Sequence, residues 1–168
     1  EALKWTGHAP DQGDAHAQYN IAVMPDRGRG VSKDDFEAIK WYRMAAEQGF
    51  ARAEYNLGVM YEKGRGVAQD YAEALKWFRK AAEKNHAKAQ YNIGFMYEHG
   101  HGVPQNDHGA LNWYRKAAEQ GDAAAQTNIG SMYATGRGVP LDYGEALKWY
   151  RVAASNGDAA AQFNIGSL

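Results

Sequence analysis

Five tryptophans restrict what this chain can fold into. Trp5, Trp41, Trp77, Trp113 and Trp149 stand 36 residues apart. The same step carries Asn20 to Asn56, Asn92, Asn128 and Asn164, and Gly28 to Gly64, Gly100 and Gly136. Gly30 recurs as Gly66, Gly102 and Gly138, and paired alanines recur at Ala45-Ala46, Ala81-Ala82, Ala117-Ala118 and Ala153-Ala154. No insertion breaks the register. A fixed period of this size marks a repeat array, in which each unit is one small assembly that cannot bury its apolar face alone. The chain divides into units 15–50, 51–86, 87–122 and 123–158, with partial units 1–14 and 159–168, all in one array.

Each unit reads as two helices. In residues 51–84, Ala53, Leu57, Met60 and Tyr61 fall at i, i+4, i+7 and i+8, one stripe of a helix. Gly64-Arg65-Gly66-Val67 closes it, since glycine tolerates the left-handed backbone that ends a last helical turn. Asp70 is a good N-cap for a second helix with Ala74, Phe78, Ala81 and Ala82 as its stripe and Leu75 and Trp77 on the flanks. That helix stops near Asn85, where the other units carry Gly49, Gly121 and Gly157. The period thus predicts first helices near 15–26, 51–63, 87–99 and 123–135, and second helices near 34–48, 70–84, 106–120 and 142–156. It also predicts that Trp41, Trp77, Trp113 and Trp149 serve packing rather than chemistry.

The pattern Ala53…Leu57-Gly58…Tyr61…Gly64-Arg65-Gly66-Val67, then Asp70…Ala74…Trp77-Phe78…Ala81-Ala82, resembles the Sel-1-like repeat family, a relative of the tetratricopeptide repeats with a longer turn. The resemblance covers nearly the whole chain. It implies an all-α fold, a right-handed α-α superhelix (solenoid) of antiparallel helix pairs, with first helices on the inner wall. It implies adaptor or scaffold roles, common in bacterial secreted, periplasmic or signalling proteins and in eukaryotic protein quality control, and no single partner. Cysteine-rich members staple each pair with a disulfide; this chain has no cysteine and cannot. Pro25 stands where later units have Tyr61, Tyr97 and Tyr133, so the first full unit is expected to end its first helix early. Gly7 and Pro10 replace the counterparts of Arg43 and Ala46, so residues 1–12 are expected to be irregular. The array starts and stops inside a unit without a polar cap, as a piece of a longer protein would.

Composition narrows the function classes. With 19 basic and 20 acidic side chains, net −1, the chain lacks the basic excess that nucleic-acid binding draws on. No apolar run approaches the ~20 residues of a membrane-spanning helix. No cofactor motif is present: the Gly-x-Gly turns follow a helix rather than a strand and recur in every unit, unlike a phosphate loop. His99, His101 and His108 gather near Asp107, but His101 only replaces Arg65 and Arg137, so this is read as a solvated loop and not a metal site. The serines Ser32, Ser131 and Ser155 precede Asp35, Ala134 and Asp158 by three residues, so none forms the Ser-x-x-Lys pair of a lactam-hydrolysing enzyme.

What varies between units at one fold position is free for function. On the first helix the variable stripe is Arg52, Tyr55, Val59 and Glu62, then Lys88, Tyr91, Phe95 and Glu98, then Ala124, Thr127, Ser131 and Ala134. The first unit offers His16, Tyr19, Val23 and Asp26. Spacing i, i+3, i+7, i+10 places each set on one face, roughly opposite the packing stripe. In related repeats that face lines the concave groove. The expected peptide-binding groove is therefore Arg52, Tyr55, Asn56, Val59, Glu62, Lys88, Tyr91, Asn92, Phe95 and Glu98. Its partner would be a protein or peptide, because tyrosine and arginine anchor such surfaces. A competing reading has Tyr55 and Tyr91 packing between adjacent first helices. The asparagines either bond an extended peptide or tie neighbouring units together. Glycan binding, with Tyr55, Tyr91 and Phe95 as stacking platforms, is the alternative function.

Overall fold

The structure is a computed structural model that describes residues 14–27 and 35–168. Its helices alternate strictly. First helices are α1 (Ala15–Arg27), α3 (Ala51–Lys63), α5 (Ala87–His99), α7 (Ala123–Thr135) and the shorter α9 (Ala159–Ile165). Second helices are α2 (Asp35–Glu47), α4 (Tyr71–Glu83), α6 (Asp107–Glu119) and α8 (Tyr143–Ser155). No strand occurs among the described residues. The fold is the all-α superhelix of 36-residue antiparallel helix pairs.

Local chemistry sets the ends. Asp70, Asn106 and Asp142 sit in extended backbone, and each side chain accepts the N–H three residues on, from Glu73, Gly109 and Glu145. Gly64, Gly100 and Gly136 close α3, α5 and α7 in the left-handed region and donate to the carbonyls of Met60, Met96 and Met132. The expectation that Pro25 shortens the first helix does not hold, for α1 continues to Arg27. Proline deletes one N–H, that which would bond the Ile21 carbonyl, and so close to a helix end the loss of a single bond does not unwind the last turn. Residues 1–12 lie outside the described residues.

In three pairs the two helices meet through glycine, while Ala22 holds that place in α1. A Cβ on Gly58, Gly94 or Gly130 would come within 2.6 to 2.7 Å of the ring of Phe78, Tyr114 or Tyr150. Hydrogen at that position lets the second-helix ring lie flat on the first helix. The expected packing stripe is buried throughout: Ala53, Leu57, Met60 and Tyr61 face Ala74, Leu75, Trp77, Phe78, Ala81 and Ala82. Between pairs, Arg79 and Arg115 donate to the hydroxyls of Tyr97 and Tyr133 at 3.0 Å, and Arg43 to that of Tyr61. The residues that would supply this bond one step earlier are Gly7 and Pro25, so the sequence lacks both partners together.

Candidate functional site

The aromatic rings of the variable first-helix stripe are half-buried rather than opposite the core. Tyr55 of α3 stacks on His86, with ring centroids 4.7 Å apart, and tilts against Phe78 at 5.9 Å. Tyr91 of α5 tilts against Tyr114 at 5.6 Å, and Tyr19 meets Phe50 edge-on at 5.1 Å. Each stripe ring thus rests on the ring system of its own pair or of the following turn. Burial raises the pKa of the Tyr55 hydroxyl, helped by the negative charge of Glu62 and Asp122, while the facing Asn92 amide opposes the shift. Burial likewise raises Tyr91, with Asn128 opposing. At these two rungs the asparagine ladder meets the tyrosine hydroxyl of the preceding unit.

Val59 and Phe95 are half-buried in the same stripe. Phe95 stacks on His99 at 3.9 Å, and His101 stacks on Tyr71 at 4.6 Å. The histidine cluster is therefore built into ring contacts, and no group of three potential metal ligands forms among the described residues. Glu62 is half-buried; burial raises its carboxyl, against the pull of Lys63 and His101. Glu98 is only 9% exposed, accepts from the Tyr114 hydroxyl at 2.6 Å and pairs with Arg137 at 2.5 Å. Both its oxygens are engaged inside the protein. Burial, then Glu98, pushes the Tyr114 hydroxyl far above the usual phenol range.

Arg52 and Lys88 are exposed, and neither forms an ion pair among the described residues. Both bear on His86, whose pKa is lowered first by burial and then by Lys88 and Arg52. Asn56 and Asn92 are half-buried beside the tyrosines. In the next unit the face shrinks to Ala124, Thr127, Ser131 and Ala134, with Thr127 buried and its hydroxyl unpartnered. The side chain of Asp26 lies outside the described residues. Among the serines, Ser155 and Ser167 donate to the carbonyls of Val152 and Phe163, and Ser131 faces the Tyr150 hydroxyl. A cleft of about 540 Å³ lies away from this stripe, between α4 and α6, with Asn85, Gln90, Trp113, Lys116 and Gln120 on its walls.

Sequence reasoning missed a set of ties inside each pair. The residue after the second helix reaches back 30 positions to a buried side chain of the first: Gln48 to Gln18 at 2.7 Å, Gln120 to Gln90 at 2.6 Å, Asn156 to Gln126 at 2.9 Å. In unit 51–86 the same tie is an ion pair, Lys84 to Glu54 at 2.7 Å. The signal was present in the sequence. The only unit with glutamate in place of glutamine is the only one with lysine as its partner.

The Sel1 repeat family model matches residues 15–50, 51–86, 87–122 and 123–158. The chain belongs to the Sel1 repeat family. No curated protein matches it. Among solved structures, a Sel1 repeat protein from Oxalobacter formigenes is 42% identical with a TM-score of 0.89, over 95% of this chain and 65% of that one. The uropathogenic Escherichia coli protein c5321, a protective antigen with an SLR fold, is 39% identical with a TM-score of 0.87, over 92% of this chain and 33% of its own. Helicobacter pylori cysteine rich protein B is 25% identical with a TM-score of 0.61, over 81% of this chain and 98% of its own. The chain thus spans less than two thirds of the first two. Sel1 repeats are helical scaffolds that commonly serve protein interaction, and no helix among the described residues is long and apolar enough to cross a membrane.

Proposed function

We propose that this Sel1 array holds an extended or helical protein segment against the concave face of units 51–86 and 87–122. The groove runs over Arg52, Tyr55, Asn56, Val59 and Glu62 and on to Lys88, Tyr91, Asn92 and Phe95. The carrying observation is that unpaired cations, amides and half-buried rings share one face in these two units, whereas unit 123–158 accepts Ala124 and Thr127 at the same positions. Packing alone therefore does not require this chemistry. Glu98 closes one wall through Arg137 and Tyr114 rather than meeting the ligand. Stacked glycan is the weaker reading, because one face of Tyr55 and one of Phe95 are already taken by His86 and His99.

The test is selection of binders from a random dodecapeptide display library, followed by titration of the selected peptides. The double variant Tyr55→Ala with Tyr91→Ala should lose about 2 kcal/mol or more of binding energy. Folding is checked by circular dichroism. Because both rings also pack internally, Val59→Ser with Phe95→Ser serves as a second, milder disruption of the same wall. Unchanged affinity in both folded variants would exclude the groove.

A further inference from the structure

Position by position, the first helices of the array carry a row of basic side chains. The second residue of the first helix is His16, Arg52 and Lys88 in the first three full units, then Ala124 and Ala160. The residue just before the helix varies as well: it is acidic in Asp14, Asp122 and Asp158, but an aromatic ring in Phe50 and His86. These rings are in use, for His16 packs on Phe50 with centroids 4.4 Å apart and Tyr55 stacks on His86. The cations are not in use: Arg52 and Lys88 have no ion pair among the described residues, and their shared field bears on His86 between them. Several other cations of the chain do have partners. Lys84 meets Glu54, Arg137 meets Glu98, and Arg79 and Arg115 meet tyrosine hydroxyls.

Two adjacent like charges on one face repel, and fold geometry does not need them, since alanine fills the same position in the next unit. An opposite charge from outside the chain would relieve that repulsion. We infer that the segment held on the concave face is acidic, its carboxylates docking on Arg52 and Lys88 while its apolar side chains lie on Tyr55, Tyr91 and Phe95. This rests on the groove reading above and adds the partner's chemistry. Complementary charge of this kind steers association and fixes register. A polyproline-like chain advances about 3.1 Å per residue, so an acidic residue at every third position presents carboxylates about 9 Å apart along one side of the segment. Asp122, whose charge reaches both Tyr55 and Tyr91, bounds the site on the side of unit 123–158 and rejects further carboxylates there.

The experiment uses the full chain and three blocked synthetic peptides, Ac-(Glu-Leu-Pro)4-NH2 and its Gln and Lys counterparts, titrated by fluorescence anisotropy at low and high salt. Nuclear magnetic resonance maps the contact to Tyr55 and Tyr91. The Glu peptide should bind about tenfold or more tightly than the Gln peptide, with strong salt dependence. The charge reversal Arg52→Glu with Lys88→Glu changes only exposed side chains. It should abolish Glu-peptide binding and create binding of the Lys peptide. If the Gln peptide binds the mapped face as tightly as the Glu peptide, or if charge reversal leaves Glu-peptide affinity unchanged, the acidic-partner inference is overturned while the groove reading stands. If none of the three peptides, nor any selected peptide, perturbs Tyr55 and Tyr91, both fall together.

Discussion

Units 51–86 and 87–122 share one backbone plan and seal it differently. In the first, Trp77 is 5% exposed, its indole N–H donates to Glu73 at 3.0 Å, and Lys84 pairs with Glu54, itself 2% exposed. In the second, Gly109 stands in place of Glu73, Trp113 is half-exposed on the wall of the α4–α6 cleft, and two glutamines replace the ion pair. Lysine lies over the indole in both, Lys80 over Trp77 at 4.3 Å and Lys116 over Trp113 at 4.1 Å. The plan therefore fixes where side chains meet, not which chemistry meets there. A buried polar position inside the pair tolerates either charge or amide, provided both members change together.

Tryptophan truncation should separate the units most. Trp77→Ala should cost about 3–5 kcal/mol, as expected for a large buried aromatic, and Trp113→Ala clearly less, because its ring already touches solvent. Equal losses in chemical denaturation would erase the distinction between a sealed and an open unit.

Breaking the ion pair comes next. Lys84→Met leaves the Glu54 carboxylate buried without a partner and should cost about 3 kcal/mol. Glu54→Gln with Lys84→Gln converts unit 51–86 to the tie of unit 87–122. It should stay within about 1 kcal/mol of the parent, since a buried pair contributes little net stability once both charges are removed. A double variant as unstable as the single one would show that the two ties are not interchangeable.

A smaller gain is expected at Asn85. It holds φ at +59°, where the other units have Gly49, Gly121 and Gly157 at +81° to +87°. Asn85→Gly should stabilise by about 0.5 kcal/mol, because the left-handed region is strained for any residue with a Cβ. Thermal melts that show no gain would mean that Asn85 is held by its contacts on the cleft.

The smallest effect concerns pH. His86 precedes α5 where Asp122 precedes α7, and its nitrogen Nδ1 accepts the Ala89 N–H at 3.3 Å. Burial, with Lys88 and Arg52, lowers its pKa from 6.5, so the unfolded chain binds the proton more readily than the folded one. Its contribution is present above pH 6.5 and declines as pH falls through and below that value. His86→Asn keeps a capping acceptor without titrating. Stability against pH between 7 and 5 should therefore slope less steeply in that variant; an unchanged slope would remove His86 from the account.

Much of this was legible in the chain itself. The 36-residue step, the glycine turns and the capping residues at Asp70, Asn106 and Asp142 are local signals, each tied to a backbone requirement, and the helices follow them within a residue or two. The candidate groove was legible only as a stripe. Period alone set Tyr55, Tyr91, Glu62 and Glu98 on one stripe, and burial parts them: Glu98 is buried while the other three are half-buried.

What the sequence alone determined is the repeating half of the protein: helix pairs, their register and their packing stripe, all consequences of short-range geometry repeated without interruption. Tertiary structure decided everything that depends on a partner 16, 18, 30 or 39 residues away. It committed Glu98 to Tyr114 and Arg137, locked Glu54 under Lys84, and left Arg52 and Lys88 facing outward. The physical reason is that a charged side chain's role is set by which opposite charge or hydroxyl the superhelix brings within hydrogen-bond reach. That distance is created only when the two helices of a pair pack together and one pair stacks upon the next.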